Sequence, residues 1–242
     1  MVRLFSILIA LLFGFYIVAA SVFLKDRSVN KTCEGLEIIV RDSLDKHFVS
    51  EQDVISLLKR ANLSPIDKPM YAVNTELIEE ELKKNQMIAR VEVYKTPSGK
   101  IKLEVSQKMP LLRVMSIHGS YYIDNAGSSM PLSQRYVAHV PIATGHIEKA
   151  FAMNDLYKFA LFLHKNEFWN NQIEQINVTP GQEIELVPRV GDHRILLGSI
   201  DSYEEKLANL QLFYKQAIPK MGWNKYSVIN LKYKNQIVCT KK

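Results

Sequence analysis

The chain has 242 residues, a net charge of +6 from 31 Lys and Arg against 25 Asp and Glu, and two cysteines. Two cysteines exclude a small disulfide-stapled scaffold. The basic residues are spread along the chain without the block that a nucleic-acid footprint needs, so a solvated surface accounts for them.

Three residues precede an unbroken run, Leu4 to Leu24, of 21 residues without a charge or a proline. At about 1.5 Å per residue a helix of this length spans roughly 31 Å, matching a hydrocarbon core of about 30 Å. Fourteen of its residues are Leu, Ile, Phe or Val, which favour the bilayer by roughly 4–8 kcal/mol in sum. A secretory signal peptide competes with this reading, with Met1-Val2-Arg3 as its basic start and Ala19-Ala20-Ser21 as its cleavage site. Signal cores run about 7–15 apolar residues, and this one is longer and continues past the site, which favours a retained anchor. Asn30-Lys31-Thr32 before Cys33 is not the small apolar approach of a lipoprotein. Arg3 on one flank and Lys25 and Arg27 on the other leave the orientation undecided by charge. The expectation is a cytoplasmic or external tail 1–3, a transmembrane helix 4–24 and function in the 215 residues after Arg27. Their length suggests two domains, and they retain +4 of the net charge.

Leu36 to Val40 reads as a strand. Ser50 with Asp53 three residues on is an acidic capping box, followed by Val54, Leu57, Leu58 and Ala61 in the apolar spacing of a surface helix. Asn62 to Pro69 reads as loop, and a second helix starts near Asn74 or Thr75, with Glu79–Lys83 and Glu80–Lys84 at favourable i,i+4 spacing. Ile88 to Lys95 and Ile101 to Val105 alternate as strands around the turn Pro97-Ser98-Gly99. The order is β-α-α-β-β. Placed directly after a single span, it resembles a POTRA (polypeptide-transport-associated) domain, over residues 28–108. Such units offer exposed sheet edges that a partner can extend.

From residue 109 to 242 short strands are expected at Leu111–Ser116, Tyr121–Asp124 and Val137–Ile142, then a helix over Asn154–Phe168, then strands at Ile173–Val178, Ile184–Pro188 and Arg194–Leu197. Ser202-x-x-Glu205 reads as a capping box opening a helix with Leu207, Leu210, Tyr214 and Ala217 inward. Ile229, Leu231 and Tyr233 alternate near the end, Lys234-Asn235 can turn, and Ile237 and Cys239 resume an apolar face. The fold class is α+β: a transmembrane helix, a POTRA domain, and a mixed β domain with two packing helices.

Three stretches in this order, Lys108-Met-Pro-Leu-Leu-Arg-Val-Met115, Tyr121-Tyr-Ile-Asp-Asn-Ala-Gly127 and Val140-Pro-Ile-Ala-Thr-Gly145, resemble the POTRA-to-β junction of the bacterial cell-division family FtsQ/DivIB. The ending Val228-Ile-Asn-Leu-Lys-Tyr233 is similar to that family's V-D-L-R-Y strand, with Asn230 and Lys232 replacing the usual acid and arginine. The resemblance implies a non-enzymatic divisome scaffold in the inner membrane at the septum, with Arg3 cytoplasmic and both domains periplasmic. It implies FtsB- and FtsL-like single-span partners, further division proteins at the POTRA domain, and the bilayer around residues 4–24. It also implies partner pairing at the final edge strand, Gln236, Ile237, Val238, Cys239 and Thr240, with Tyr233 and Asn235 at its start. No cofactor, metal, nucleic acid or small-molecule substrate is expected.

The residues give an enzyme little support. Six histidines (47, 118, 139, 146, 164, 193) lack metal-ligand spacing, and neither a nucleophile elbow nor a phosphate loop occurs. His47 reads as a surface residue and Glu79-Glu80-Glu81 as a solvated, lysine-paired face. Asp124 sits in turn chemistry, and neighbours on a strand such as Asp192 and His193 point to opposite faces. Cys33 and Cys239 are expected as free thiols. The alternative functions are a POTRA-bearing envelope assembly factor, for whose usual barrel about 130 residues leave no room, and, more remotely, an anchored envelope hydrolase.

Overall fold

The structure is a computed structural model that describes residues 12–19, 31–41 and 48–242. The predicted span 4–24 lies outside these residues except for 12–19, which are helical. No helix among the described residues is long and apolar enough to cross a membrane. His47 also lies outside them. The chain divides into two compact units, Met1–Gln107 and Lys108–Lys242.

The first unit orders β1 (Gly35–Arg41), α1 (Glu51–Arg60), α2 (Thr75–Lys83), β2 (Ile88–Lys95) and β3 (Lys100–Gln107). The capping box of α1 forms in both directions: Ser50 Oγ accepts from the Asp53 N–H at 3.2 Å, and Asp53 Oδ2 accepts from the Ser50 N–H at 3.0 Å. Asn74 Oδ1 caps α2 through the Leu77 N–H. The β2–β3 hairpin closes through Gly99, whose φ of +81° belongs to the region that favours glycine. The two α-helices between β1 and the hairpin give the chain the length to return β1 parallel to β3, so the sheet order is β1-β3-β2. Ile101, Leu103 and Val105 on the central strand are fully buried, with Val54, Leu58, Ile78 and Leu82 from the helices. Lys83 meets Glu79 as expected, but Lys84 closes on Glu81 at i,i+3 instead of Glu80. Glu79 has a second role, accepting the Val93 N–H at 2.9 Å, a bond that holds its carboxyl below the usual range.

The second unit carries β4 (Pro110–Ser116), β5 (Gly119–Asp124), β6 (Ser129–Met130) and β7 (Ile142–Gly145), then α3 (Lys149–Phe151), a π-helical turn (Ala152–Leu156), α4 (Tyr157–Lys165) and α5 (Glu167–Gln172). β8 (Ile173–Val178), β9 (Ile184–Pro188) and β10 (Arg194–Gly198) follow, then α6 (Tyr203–Gln216), α7 (Ile218–Met221), β11 (Tyr226–Asn230) and β12 (Val238–Lys241). These strands form one mixed sheet, in the order β12-β11-β10-β9-β8-β7-β4-β5-β6. Both helical segments are crossovers: β7 to β8 and β10 to β11 are neighbouring parallel pairs, which a tight turn cannot connect. One hydrophobic core joins the helices to the sheet, including Leu156, Phe159, Trp169, Leu207 and Leu210.

Three local expectations are corrected. Val137–Val140 form no strand: Pro141 cannot donate to a ladder, Val137 is exposed, and the central slot is filled instead by Ile142–Gly145, the segment expected to turn. The predicted helix 154–168 begins earlier and breaks at Asn166, whose side chain leaves α4 to cap α5 through the Trp169 N–H. Ser202 makes no capping box. Its φ of +54° differs from the extended backbone that an N-cap needs, and its side chain makes no cap hydrogen bond.

Candidate partner-binding edge

β12 ends the sheet. It pairs antiparallel with β11 through Asn230↔Val238, Ile229↔Cys239, Val228↔Thr240 and Tyr226↔Lys241, and among the described residues no strand covers its other side. Alternate N–H and C=O groups of such a strand point away from its single neighbour and are free to pair. Ile237 and Cys239 turn inward, half-buried against the core, whereas Gln236, Val238 and Thr240 face out.

Between β11 and β12 the chain turns at Tyr233–Gln236. The Gln236 N–H returns to the Tyr233 carbonyl at 3.3 Å, and Asn235 takes the left-handed conformation (φ +58°) that Asn tolerates well. This turn and the start of α6 enclose a cleft of about 330 Å³, walled by Asp201, Glu205 and Lys206 on one side and Tyr233, Asn235 and Ile237 on the other. Lys206 donates to the Ser199 carbonyl at 2.7 Å, and burial lowers its pKa. Tyr233 is 57% exposed and Val238 44% exposed, both large apolar groups beside the free ladder.

The far end of β12 is tied down. The Lys242 N–H bonds the Lys225 carbonyl, and Lys242 Nζ lies 2.7 Å from Asp192 Oδ2, which holds that carboxyl below its usual range. Next to Asp192, His193 turns the opposite way and is buried. Its Nε2 lies 2.7 Å from the Tyr214 hydroxyl, and its ring stacks on Trp223. Its Nδ1 has no hydrogen-bond partner among the described residues. Desolvation lowers the pKa of His193, with Lys242 adding to the effect and Asp192 opposing it. Burial pushes the Tyr214 phenol up, as does nearby Cys239. An aromatic cluster thus supports the sheet end that carries β12, and nothing local in the sequence links His193 to Tyr214.

A family model described as FtsQ/DivIB, C-terminal related, matches residues 109–240, more than half of the chain. This chain belongs to that family. The first unit of this FtsQ/DivIB-family chain matches a POTRA-like domain model over residues 31–106. The chain is similar to the cell division protein FtsQ of Geotalea daltonii, 24% identical over 183 residues, covering 71% of this chain and 65% of that protein. It is also similar to the cell division protein FtsQ of Rhodothermus marinus, 24% identical over 181 residues, covering 70% and 66%. The chain thus spans slightly under two thirds of the length of these two relatives.

Of the residues that the resemblance assigned, Val238, Cys239 and Thr240 lie in β12, which runs on to Lys241. Gln236 and Ile237 precede the paired segment, and Tyr233 and Asn235 occupy the turn. The two departures from the family pattern have local partners. Asn230 Oδ1 accepts the Lys232 N–H at 2.9 Å, and Lys232 Nζ pairs with Glu183 Oε2 at 2.5 Å. Asp124 is buried, accepts the Ala126 and Ser128 N–H groups as a turn residue, and pairs with Lys108 at 3.4 Å. Both cysteines are free, Cys33 buried and Cys239 half-buried. Among the described residues no group of three or more His, Cys, Asp or Glu is placed to hold a metal.

Proposed function

We propose that this chain is a single-pass, membrane-anchored, non-enzymatic scaffold of the bacterial division machinery, which holds FtsB- and FtsL-like single-span partners by strand addition to β12. The Leu4–Leu24 run supplies the anchor, with its amino terminus cytoplasmic and both folded units in the periplasm. The open ladder of β12 is the observation that carries the reading. A partner strand pairing with a four-residue edge gains about four backbone hydrogen bonds at roughly 0.5–1.5 kcal/mol each. That sum, about 2–6 kcal/mol, corresponds to affinities between roughly tens of millimolar and tens of micromolar. The ladder therefore fixes register and direction, and side chains must add the rest, with Tyr233 and Val238 standing exposed beside it as the apolar anchors.

The test is co-purification of FtsB and FtsL with the full chain from detergent extracts. Val238→Pro places a rigid ring in the edge strand, and Tyr233→Ala removes an anchor without touching the ladder. Both are expected to lose most of the partner, with the tryptophan fluorescence of the second unit unchanged for Tyr233→Ala. Unaltered recovery with both variants would refute the edge. Recovery of outer-membrane barrel machinery in place of FtsB and FtsL would instead favour an assembly factor.

A further inference from the structure

One end of the POTRA-like unit gathers everything that lies close to the chain's entry. The Met70 N–H bonds the Lys31 carbonyl, the Cys33 N–H bonds the Lys68 carbonyl, and the Glu34 N–H bonds the Gly99 carbonyl. Lys31 Nζ reaches the Pro97 carbonyl at 3.1 Å. Residues 31–34 are thereby clasped between the α1–α2 loop and the β2–β3 hairpin turn, with Cys33 fully buried as the pin. Three large apolar residues at this end face outward: Ile66 is 42% exposed, Tyr71 68% and Leu77 48%. Leu77 lies beside Lys68 and Pro65 across a small cavity. Single exposed apolar residues need no explanation. Three around one loop, with exposed Lys31, Lys68, Lys95 and Lys100 against Glu34, Asp67 and Glu76, form an apolar tip with a net excess of one positive charge.

We infer that this tip, centred on Ile66, Tyr71 and Lys68, docks on the anionic lipid surface of the bilayer that holds the anchor. The inference rests on the anchor reading above. From Leu24 to Lys31 even a fully extended chain reaches at most about 25 Å, so the tip cannot leave the neighbourhood of the membrane. Tyr is favoured at headgroup level, where its ring is half apolar and its hydroxyl wet, and lysines bury their stems while holding their charge at the phosphates. Docking there gives the tethered unit a set height above the membrane.

The experiment uses the full chain reconstituted into vesicles of equal parts phosphatidylcholine and phosphatidylglycerol, with acyl chains brominated close to the headgroup. Tyr71→Trp places a fluorophore at the tip. Arg90→Trp places one at the opposite end of β2, and the signal of the two native tryptophans is subtracted. The result expected is quenching of the tip probe at least about two-fold stronger than that of the Arg90 probe. It should fall in pure phosphatidylcholine and on neutralising Lys31→Gln with Lys68→Gln. That pair should shift the docked equilibrium about 25-fold, at roughly five-fold for each surface lysine. Equal quenching at the two positions overturns the docking, as does quenching that ignores both lipid charge and the lysines. A tip occupied by another protein would leave the probe unquenched in these protein-free bilayers and likewise overturns it. Flotation after an alkaline wash separates the two failures. A chain washed off refutes the anchor and the docking together, whereas a retained chain with an unquenched tip refutes the docking alone.

Discussion

Tyr214→Phe should destabilise the second unit far beyond the loss of one oxygen atom. The Tyr214 hydroxyl is the hydrogen-bond partner of His193 Nε2, both side chains are buried, and His193 Nδ1 has no partner among the described residues. Removing the hydroxyl leaves a buried imidazole with neither nitrogen bonded. The ring packing on Trp169 and Trp223, with centroids 6.2 and 5.2 Å away, survives the change. An orphaned buried polar group costs about 1–3 kcal/mol. About 2 kcal/mol is therefore expected, a fall in Tm of roughly 8 °C for a unit of this size. Both tryptophans of the chain belong to this cluster, so denaturation followed by tryptophan fluorescence reads the second unit without the first. His193→Phe alone orphans the Tyr214 hydroxyl in turn, and the double variant removes both polar partners and should cost at least about 1 kcal/mol less than the sum of the single changes. A Tyr214→Phe loss below about 0.5 kcal/mol, or additive single costs, would refute the coupling.

The same histidine predicts a pH dependence. Its folded pKa lies below the ordinary value near 6.5, so the unfolded chain binds its proton first and the second unit loses stability as pH falls below about 6.5. Stability measured from pH 8 to 5 should bend there (both limits lying about 1.5 units from that value), and His193→Phe should flatten the curve. In the first unit, Glu104 is held down to about 2 by Arg41, Tyr94 and Lys102. Its contribution is present above pH of about 4.3 and lost as pH falls toward 2, so Glu104→Gln should remove that part of the acid unfolding curve of the first unit, followed by circular dichroism. Gly145→Ala should cost at least about 2 kcal/mol by fluorescence-monitored denaturation, because the residue sits at φ +101° and a Cβ would lie 2.2 Å from the Val178 carbonyl oxygen. Ser50→Ala should cost about 1 kcal/mol of the first unit's stability in thermal melts, the worth of a helix N-cap.

What the sequence reveals depends on whether the deciding partner is near in the chain. The box of Ser50 and Asp53 is legible because both halves lie within one turn, and the β2–β3 hairpin because its alternation and its Gly99 turn are contiguous. Ser202-x-x-Glu205 has the same spacing, with Glu in place of Asp, and fails, since the chain enters α6 with Ser202 left-handed (φ +54°). Val137–Val140 is a strand-like run, yet the slot between β4 and β8 goes to Ile142–Gly145, a choice made by two strands that each lie about 30 residues away, one before it and one after it. The edge shows the same limit. The resemblance located the terminal segment, but pairing begins at Val238 because the cleft-spanning turn uses up Tyr233 to Gln236 first. Asp192 and His193 both precede β10, so strand alternation does not apply to them; an exposed carboxylate beside a buried ring is what keeps them from forming a dyad. The actual partner of His193 lies in α6, where no spacing rule could find it.

On the proposed reading of β12 as a partner-binding edge, the strand must accept one partner and refuse others, and its surroundings fit both demands. Long, flat, apolar edges invite indiscriminate pairing, and short or charged ones resist it. β12 has four residues, ends on exposed Lys241 and is flanked by exposed Lys234 and Lys242, so two copies approaching edge to edge would bring cations together. Lys242 is held in place by Asp192, and Cys239 and Ile237 are packed inward on the hydrophobic core, so the strand presents one fixed face. A partner strand with acidic residues at its ends and an apolar residue for Tyr233 meets no such penalty. On that reading selectivity comes from what surrounds the ladder, since the ladder itself is common to every sheet.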